Sequence, residues 1–170
     1  DIIGFKFYHG SASYAYDPIY VPGTTGIRVF NCYFHQTAAP HGAIGLSPNT
    51  VTYANDMVIF SNRFEQIGLY TGDTVANIAI AIAGTNNLIE YNSINHSEDF
   101  NRLYGTRNVL RNNYWFDTAE SYYSDAPHID GLQVGYQTVG LNFMRNLIEA
   151  NRSDSNLVNN AHFILMSNTS

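Results

Sequence analysis

The chain has one cysteine, Cys32, so no internal disulfide can form. A lone thiol in such a chain reads as a small buried apolar residue before it reads as a nucleophile. Lysine is almost missing, with Lys6 the only one. Charged residues make up 13% of the 170 positions, and the net charge is -6. With no basic face to meet a phosphate backbone, nucleic acid is excluded as a partner. An anionic membrane surface gains no support either, and the negative balance is ordinary solubility. No apolar run approaches the length of a bilayer span, which excludes membrane insertion by a helix. No segment shows a helical apolar period with caps at its ends.

Aromatics are plentiful at 14% of the chain, and Asn, Tyr, Ser, Thr and Gly abound. That mixture suits a β-rich protein working outside the cytoplasm. The most informative stretch is Gly84 to Phe116. Gly84-Thr85-Asn86-Asn87-Leu88-Ile89-Glu90-Tyr91-Asn92-Ser93-Ile94 is followed, at an offset of 21 residues, by Gly105-Thr106-Arg107-Asn108-Val109-Leu110-Arg111-Asn112-Asn113-Tyr114-Trp115. A Gly-Thr pair, an apolar residue three before an Asn, the Asn, and an apolar residue two after it all recur. A period near 20 residues is the mark of a stacked repeat.

Aligned on that Asn, six copies follow: Ile2/Phe5/Phe7, Val29/Cys32/Phe34, Ile59/Asn62/Phe64, Ile89/Asn92/Ile94, Leu110/Asn113/Trp115 and Phe143/Asn146/Ile148. Successive copies stand 27, 30, 30, 21 and 33 residues apart. A constant core with variable spacing puts the extra residues in loops on one side of a stack. Between the markers runs a second family of strand-like pieces: 19–21, 43–46, 78–82, 103–104, 132–134 and 163–165. Ile78, Ile80 and Ile82 show the period of two of a half-buried strand. A leucine-rich repeat is excluded. Its apolar residues belong five and eight positions before the Asn, where this chain has Asn87 and Gly84, then Asn108 and Gly105.

The pieces Asn87-Leu88-Ile89-Glu90-Tyr91-Asn92 and Asn108-Val109-Leu110-Arg111-Asn112-Asn113 closely resemble the repeat of the right-handed parallel β-helix proteins of the pectate-lyase-like superfamily. The resemblance covers nearly the whole chain. It implies an all-β, right-handed, single-stranded parallel β-helix (a solenoid) of about five to six coils, residues 1–170 forming one domain. An Asn at the turn between the second and third strand of each coil would stack on the Asn above. Phe5 and Cys32 replace it in the first two coils. Neither end shows a complete cap, so the chain is expected to be a segment of a longer one, or to have its ends covered by self-association or by further chain.

In β-helices of this kind the cleft lies on the strand face that follows the variable loops. The strongest cluster there is Asp125-Ala126-Pro127-His128-Ile129-Asp130-Gly131-Leu132-Gln133. His128 and Asp130, two apart on an extended chain, lie about 7 Å apart on one side. A structural role is the competing reading, with Asp130 accepting backbone N–H bonds and His128 capping the turn. If the cleft is catalytic, the resemblance implies a polysaccharide lyase or epimerase acting on an acidic polysaccharide. His128 would be the base, Tyr104 or Tyr123 the acid, Arg102 the group neutralising the uronate, and Asp130 a further member of the site. Gln133, Tyr122, Tyr123, His96 and Asp99 would bind substrate. Asp117, Glu120 and Asp125 offer the oxygen ligands that Ca²⁺ prefers. A glycoside hydrolase using Asp125 or Asp130 with Asp99 is the further alternative, its carboxylates about 6.5–9.5 Å apart if inverting. The non-enzymatic alternative is a carbohydrate-binding or structural β-helix, as in a phage tailspike, adhesin or surface fibre. Its Tyr-rich loops would stack on sugars without cutting them. Either way the partner is polysaccharide, and the place is extracellular, secreted, or the surface of a virion or cell.

Overall fold

The computed structural model describes residues 1–8, 18–35, 43–45, 53–67, 78–95, 97, 99–116, 129–135, 138–149 and 161–166. These form eighteen strands and, among the described residues, no helix. The chain winds through three strands per coil. The first coil is β1 (Ile2–Ile3), β2 (Lys6–Tyr8) and β3 (Ile19–Tyr20). The second is β4 (Arg28–Phe30), β5 (Tyr33–His35) and β6 (Ile44–Gly45), and the third β7 (Val58–Phe60), β8 (Arg63–Glu65) and β9 (Ile78–Thr85). The fourth is β10 (Leu88–Glu90), β11 (Ser93–Asn95) and β12 (Asp99–Thr106). The fifth is β13 (Val109–Arg111), β14 (Tyr114–Phe116) and β15 (Ile129–Val134), and the sixth β16 (Asn142–Met144), β17 (Leu147–Glu149) and β18 (Ala161–Met166).

Every strand pairs in parallel with its counterpart one coil away, giving three six-stranded sheets. Sheet A holds the first strand of each coil, sheet B the second and sheet C the third. The protein is an all-β parallel β-helix. Its registers join the residues that the repeat aligned: Val29 with Ile59, Ile59 with Ile89, Ile89 with Leu110, Leu110 with Phe143. In sheet C, Ile44 meets Ile80, Ile82 meets Leu103 and Leu103 meets Val134.

The core is the set of inward positions, one in each strand of sheets A and B and more in the longer strands of sheet C. Parallel in-register pairing places like side chains over one another, so Phe7, Phe34 and Phe64 stack with ring centroids 4.7 Å apart at each step. That separation matches the spacing of hydrogen-bonded strands, about 4.8 Å. Ile94 and the sole tryptophan, Trp115, continue the file, both fully buried. Trp115 also meets Phe143, at 5.7 Å between centroids.

The corner between sheets A and B, which are second and third when a coil is counted from sheet C, carries the expected ladder. Asn62, Asn92, Asn113 and Asn146 each donate from Nδ2 to the strand carbonyl of the preceding coil, at Val29, Ile59, Ile89 and Leu110. Each Oδ1 accepts the backbone N–H of the ladder residue below. Cys32 does a weaker version of this work. Its Sγ lies 3.7 Å from the carbonyl of Ile2, where an Asn would place its amide. Phe5 does not substitute in this way: it is 58% exposed, its backbone carbonyl accepts from Tyr33 N–H, and its ring leans on Phe7 at 6.2 Å between centroids. One residue before the ladder the backbone turns left-handed in every coil, at Gly4, Asn31, Ser61, Tyr91, Asn112 and Arg145.

A second ladder, not foreseen in the sequence, closes the corner between sheets C and A. Asn87 donates to the carbonyl of Ala54 and to Asn108 Oδ1, and Asn108 donates to the carbonyl of Gly84. The Gly-Thr pairs belong to this corner. Gly84 and Gly105 have φ of 146° and 101°, and a Cβ on Gly105 would lie 2.1 Å from the Gly84 oxygen. Only glycine meets both conditions. The hydroxyls of Thr85 and Thr106 bond each other at 3.0 Å.

Candidate functional site

Sheet C follows the variable inserts, and its outward positions alternate with the inward Ile80, Ile82, Leu103, Leu132 and Val134. One outward rank, read across the coils, is Tyr20, Gly45, Ala81, Arg102 and Gln133. The next includes Ala83 and Tyr104, with Gly135 beside Tyr104. Small residues make a low floor from which Arg102, Gln133 and Tyr104 rise. Arg102 Nε donates to Gln133 Oε1, which fixes the guanidinium at the middle of the face. An edge of the Tyr104 ring faces Gly135, where a Cβ would come within 1.6 Å of two ring carbons. Glycine at 135 is therefore what lets the ring come this close to the backbone. Tyr20, 49% exposed, presents an open aromatic face at the far end of the rank.

Three of the expected site residues thus come together: Arg102, Tyr104 and Gln133. Two adjacent strands of the same parity carry them, and the sheet pairing sets Arg102 directly beside Gln133. Asp130 lies in β15, three residues before Gln133 and in register with His162. Asp99 opens β12 in register with Ile78. The side chains of Asp99 and Asp130 lie outside the described residues, and so do His96, Asp117, Glu120, Tyr122, Tyr123, Asp125 and His128. Among the described residues no three acidic, His or Cys side chains gather as a metal site.

His35 ends β5 and Glu65 ends β8, both on the outer face of sheet B rather than on the sheet C side. They alternate with the inward Phe34 and Phe64, and that alternation in Tyr33-Phe34-His35 and Arg63-Phe64-Glu65 was the signal for their place. One buried polar group has no apparent structural work. Asn101 shares a rank with Ile80 and Leu132, is fully buried, and neither amide atom has a partner among the described residues.

The chain matches no protein-family model, no curated protein and no solved structure.

Proposed function

We propose that this β-helix acts outside the cytoplasm on an acidic polysaccharide, as a lyase or epimerase of the pectate-lyase-like kind. The observation that carries the reading is the Arg102–Gln133 pair beside Tyr104 on the outer face of sheet C. A guanidinium is suited to a carboxylate by its planar fork of donors. Bound to a uronate carboxylate, Arg102 would draw charge from C5 and acidify its proton. A base, His128 in this proposal, takes that proton. The electrons form the C4–C5 double bond, the C4–O4 bond breaks, and Tyr104 donates a proton to the departing oxygen. An epimerase differs only in that the C5 carbanion is reprotonated from the opposite face. Gln133 holds the guanidinium, and Tyr20 offers a ring on which the next sugar stacks. His96, Asp99, Tyr122 and Tyr123 complete the proposed contacts with the chain, and Asp130 the proposed catalytic group. Asp117, Glu120 and Asp125 are proposed to hold Ca²⁺.

The test is incubation with a panel of polyuronates, following the ultraviolet absorbance of unsaturated ends and, by NMR, the C5 configuration of the product. Arg102→Gln is expected to lower the rate by about 10²–10³, the usual loss when one charge-stabilising donor is removed. Chelation is expected to slow the reaction if Ca²⁺ takes part. The absence of product and of C5 inversion with every uronate, together with binding unchanged in His128→Ala, would refute the enzymatic reading. Binding without turnover would favour the non-catalytic alternative, for which the exposed ring of Tyr20 speaks.

A further inference from the structure

The outer face of sheet B carries a cluster that the proposed cleft does not use. Two ranks run across the coils there. One is Lys6, Tyr33, Arg63, Ser93 and Tyr114; the other is Tyr8, His35, Glu65, Asn95 and Phe116. In the first three coils Tyr8, Tyr33, His35, Arg63 and Glu65 form one network, and the sheet register sets Lys6 beside Tyr33. The Tyr33 hydroxyl lies 2.6 Å from Glu65 Oε2 and 3.1 Å from His35 Nδ1. Arg63 reaches the same Glu65 oxygen at 2.9 Å, and its guanidinium carbon stands 5.3 Å from the centre of the Tyr33 ring. Tyr8, 60% exposed, packs edge-on against both Tyr33 and His35, at 6.1 and 5.8 Å between ring centres.

The hydrogen bonds determine what this network shows to solvent. Tyr33 has one hydroxyl proton, and the short bond to the Glu65 carboxylate takes it. Burial, reinforced by the Glu65 bond, pushes the phenol up to about 12, so it stays protonated. The phenol oxygen can then only accept from His35, which must carry its proton on Nδ1. In the neutral imidazole, Nε2 is then left as a hydrogen-bond acceptor of fixed direction. With Lys6 beside it in the sheet register, the face is also locally cationic. Lys6 and Arg63 outweigh Glu65 by one charge on a protein of net charge -6, and Lys6 is the only lysine in the chain.

We propose that this face, formed by Tyr8, Tyr33, His35, Arg63 and Lys6, is a second binding site for an acidic saccharide, separate from the sheet C cleft. The Tyr8 ring offers an apolar face to the C–H side of a sugar. His35 Nε2 accepts a sugar hydroxyl, and Lys6 with the outward donors of Arg63 takes the carboxylate. The pieces are held before any ligand arrives: Arg63 by Glu65 and the Tyr33 ring, His35 by Tyr33. Such preorganisation removes much of the ordering penalty of binding. The inference shares with the proposed function the reading that acidic polysaccharide is the ligand, and differs from it in place and in residues. A site on sheet B beside a working site on sheet C would hold a polymer to the solenoid while another stretch of it reacts.

The experiment measures binding by isothermal titration calorimetry in the Arg102→Gln background, which weakens the cleft. The probes are tetramers of galacturonate, mannuronate and guluronate, with cellotetraose as the neutral control. At least one uronate tetramer is expected to bind, at least tenfold tighter than cellotetraose. Tyr8→Ala and Lys6→Gln, both at exposed positions that leave the core intact, are each expected to weaken it roughly tenfold. Lys6→Gln is also expected to reduce the salt dependence of binding. If no uronate binds, or if binding is indifferent to Tyr8→Ala and Lys6→Gln, the inference is overturned. If those variants weaken binding while the protein with Arg102 intact turns over no polyuronate, the sheet B site stands and the lyase reading alone falls.

Discussion

Replacing Asn92 by alanine tests whether the ladder at the A–B corner holds the coils together. Four side-chain hydrogen bonds vanish with the amide. Nδ2 donates to the Ile59 carbonyl at 2.9 Å and to Asn113 Oδ1 at 3.1 Å. Oδ1 accepts from the backbone N–H and from Nδ2 of Asn62, both at 3.0 Å. Asn113 Oδ1 keeps its bond from the Asn92 backbone, and Asn62 Nδ2 keeps Val29. The Asn62 N–H, on a residue 2% exposed, loses the partner recorded for it. A net bond contributes about 1 kcal/mol, and a stranded buried donor costs about 1–3 kcal/mol. Three bonds lost at about 1 kcal/mol each and the stranded donor together come to about 4–6 kcal/mol, against a stability of about 5–15 kcal/mol typical of whole domains. Cys32→Asn is the mirror experiment. The amide would replace a thiol 3.7 Å from the Ile2 carbonyl, and stability should rise by about 1 kcal/mol. Urea unfolding followed by the fluorescence of the buried Trp115 reads both variants. A loss below about 1 kcal/mol for Asn92→Ala would refute the bond-by-bond reasoning, and a destabilising Cys32→Asn would show that the second coil does not share the geometry of the third.

Further expectations concern single positions. Gly105→Ala combines a φ of 101° with a contact at 2.1 Å to backbone, so it should destabilise by more than about 3 kcal/mol or prevent folding, as read by circular dichroism and urea midpoint. Asn101→Leu removes a buried amide without partners among the described residues and should stabilise by about 1–3 kcal/mol; a loss of stability would show that the amide is satisfied. Glu90 is bonded at both oxygens by Arg111 and receives Asn112, and the Arg111 bonds above all hold its carboxyl below the ordinary 4.5 despite burial. A lowered folded value means the contribution is present above pH 4.5 and lost as pH falls through the folded value. Glu90→Gln should therefore lower the urea midpoint at pH 7, with the gap closing once the wild-type carboxyl is protonated.

The scaffold was legible because parallel stacking imposes the same demand on every coil. Ile59, Ile89 and Leu110 had to be apolar in the same place, and the ladder Asn marked where to align them. The second ladder was hidden because its corner is Asn only at 87 and 108; Ile27, Met57 and Leu141 fill the equivalent places and look like core. Cys32 was recognisable as a substitute, but Phe5 was not recognisable as a residue that abandons the interior. At the candidate site, Arg102, Gln133 and Tyr104 were found together because strand parity alone sets them on one face. The His35–Tyr33–Glu65 network was missed for the opposite reason. Polar residues at strand ends resemble loop residues, and only the pairing of β5 with β8 brings partners 32 positions apart into contact.

The bare coil between Asn87 and Asn108 also has a consequence for how such a molecule can change. From this coil to the next the corner residues meet their equals: asparagine to asparagine at both corners, threonine to threonine, glycine against glycine. Nothing in these contacts measures how many coils the molecule has. A tandem copy of residues 87–107 would find every partner it needs already in place, and would move all that follows along the axis by one strand spacing, about 4.8 Å. A duplication that is ruinous in most folds would here be a change of reach, lengthening the outer faces of all three sheets while leaving their chemistry where it was.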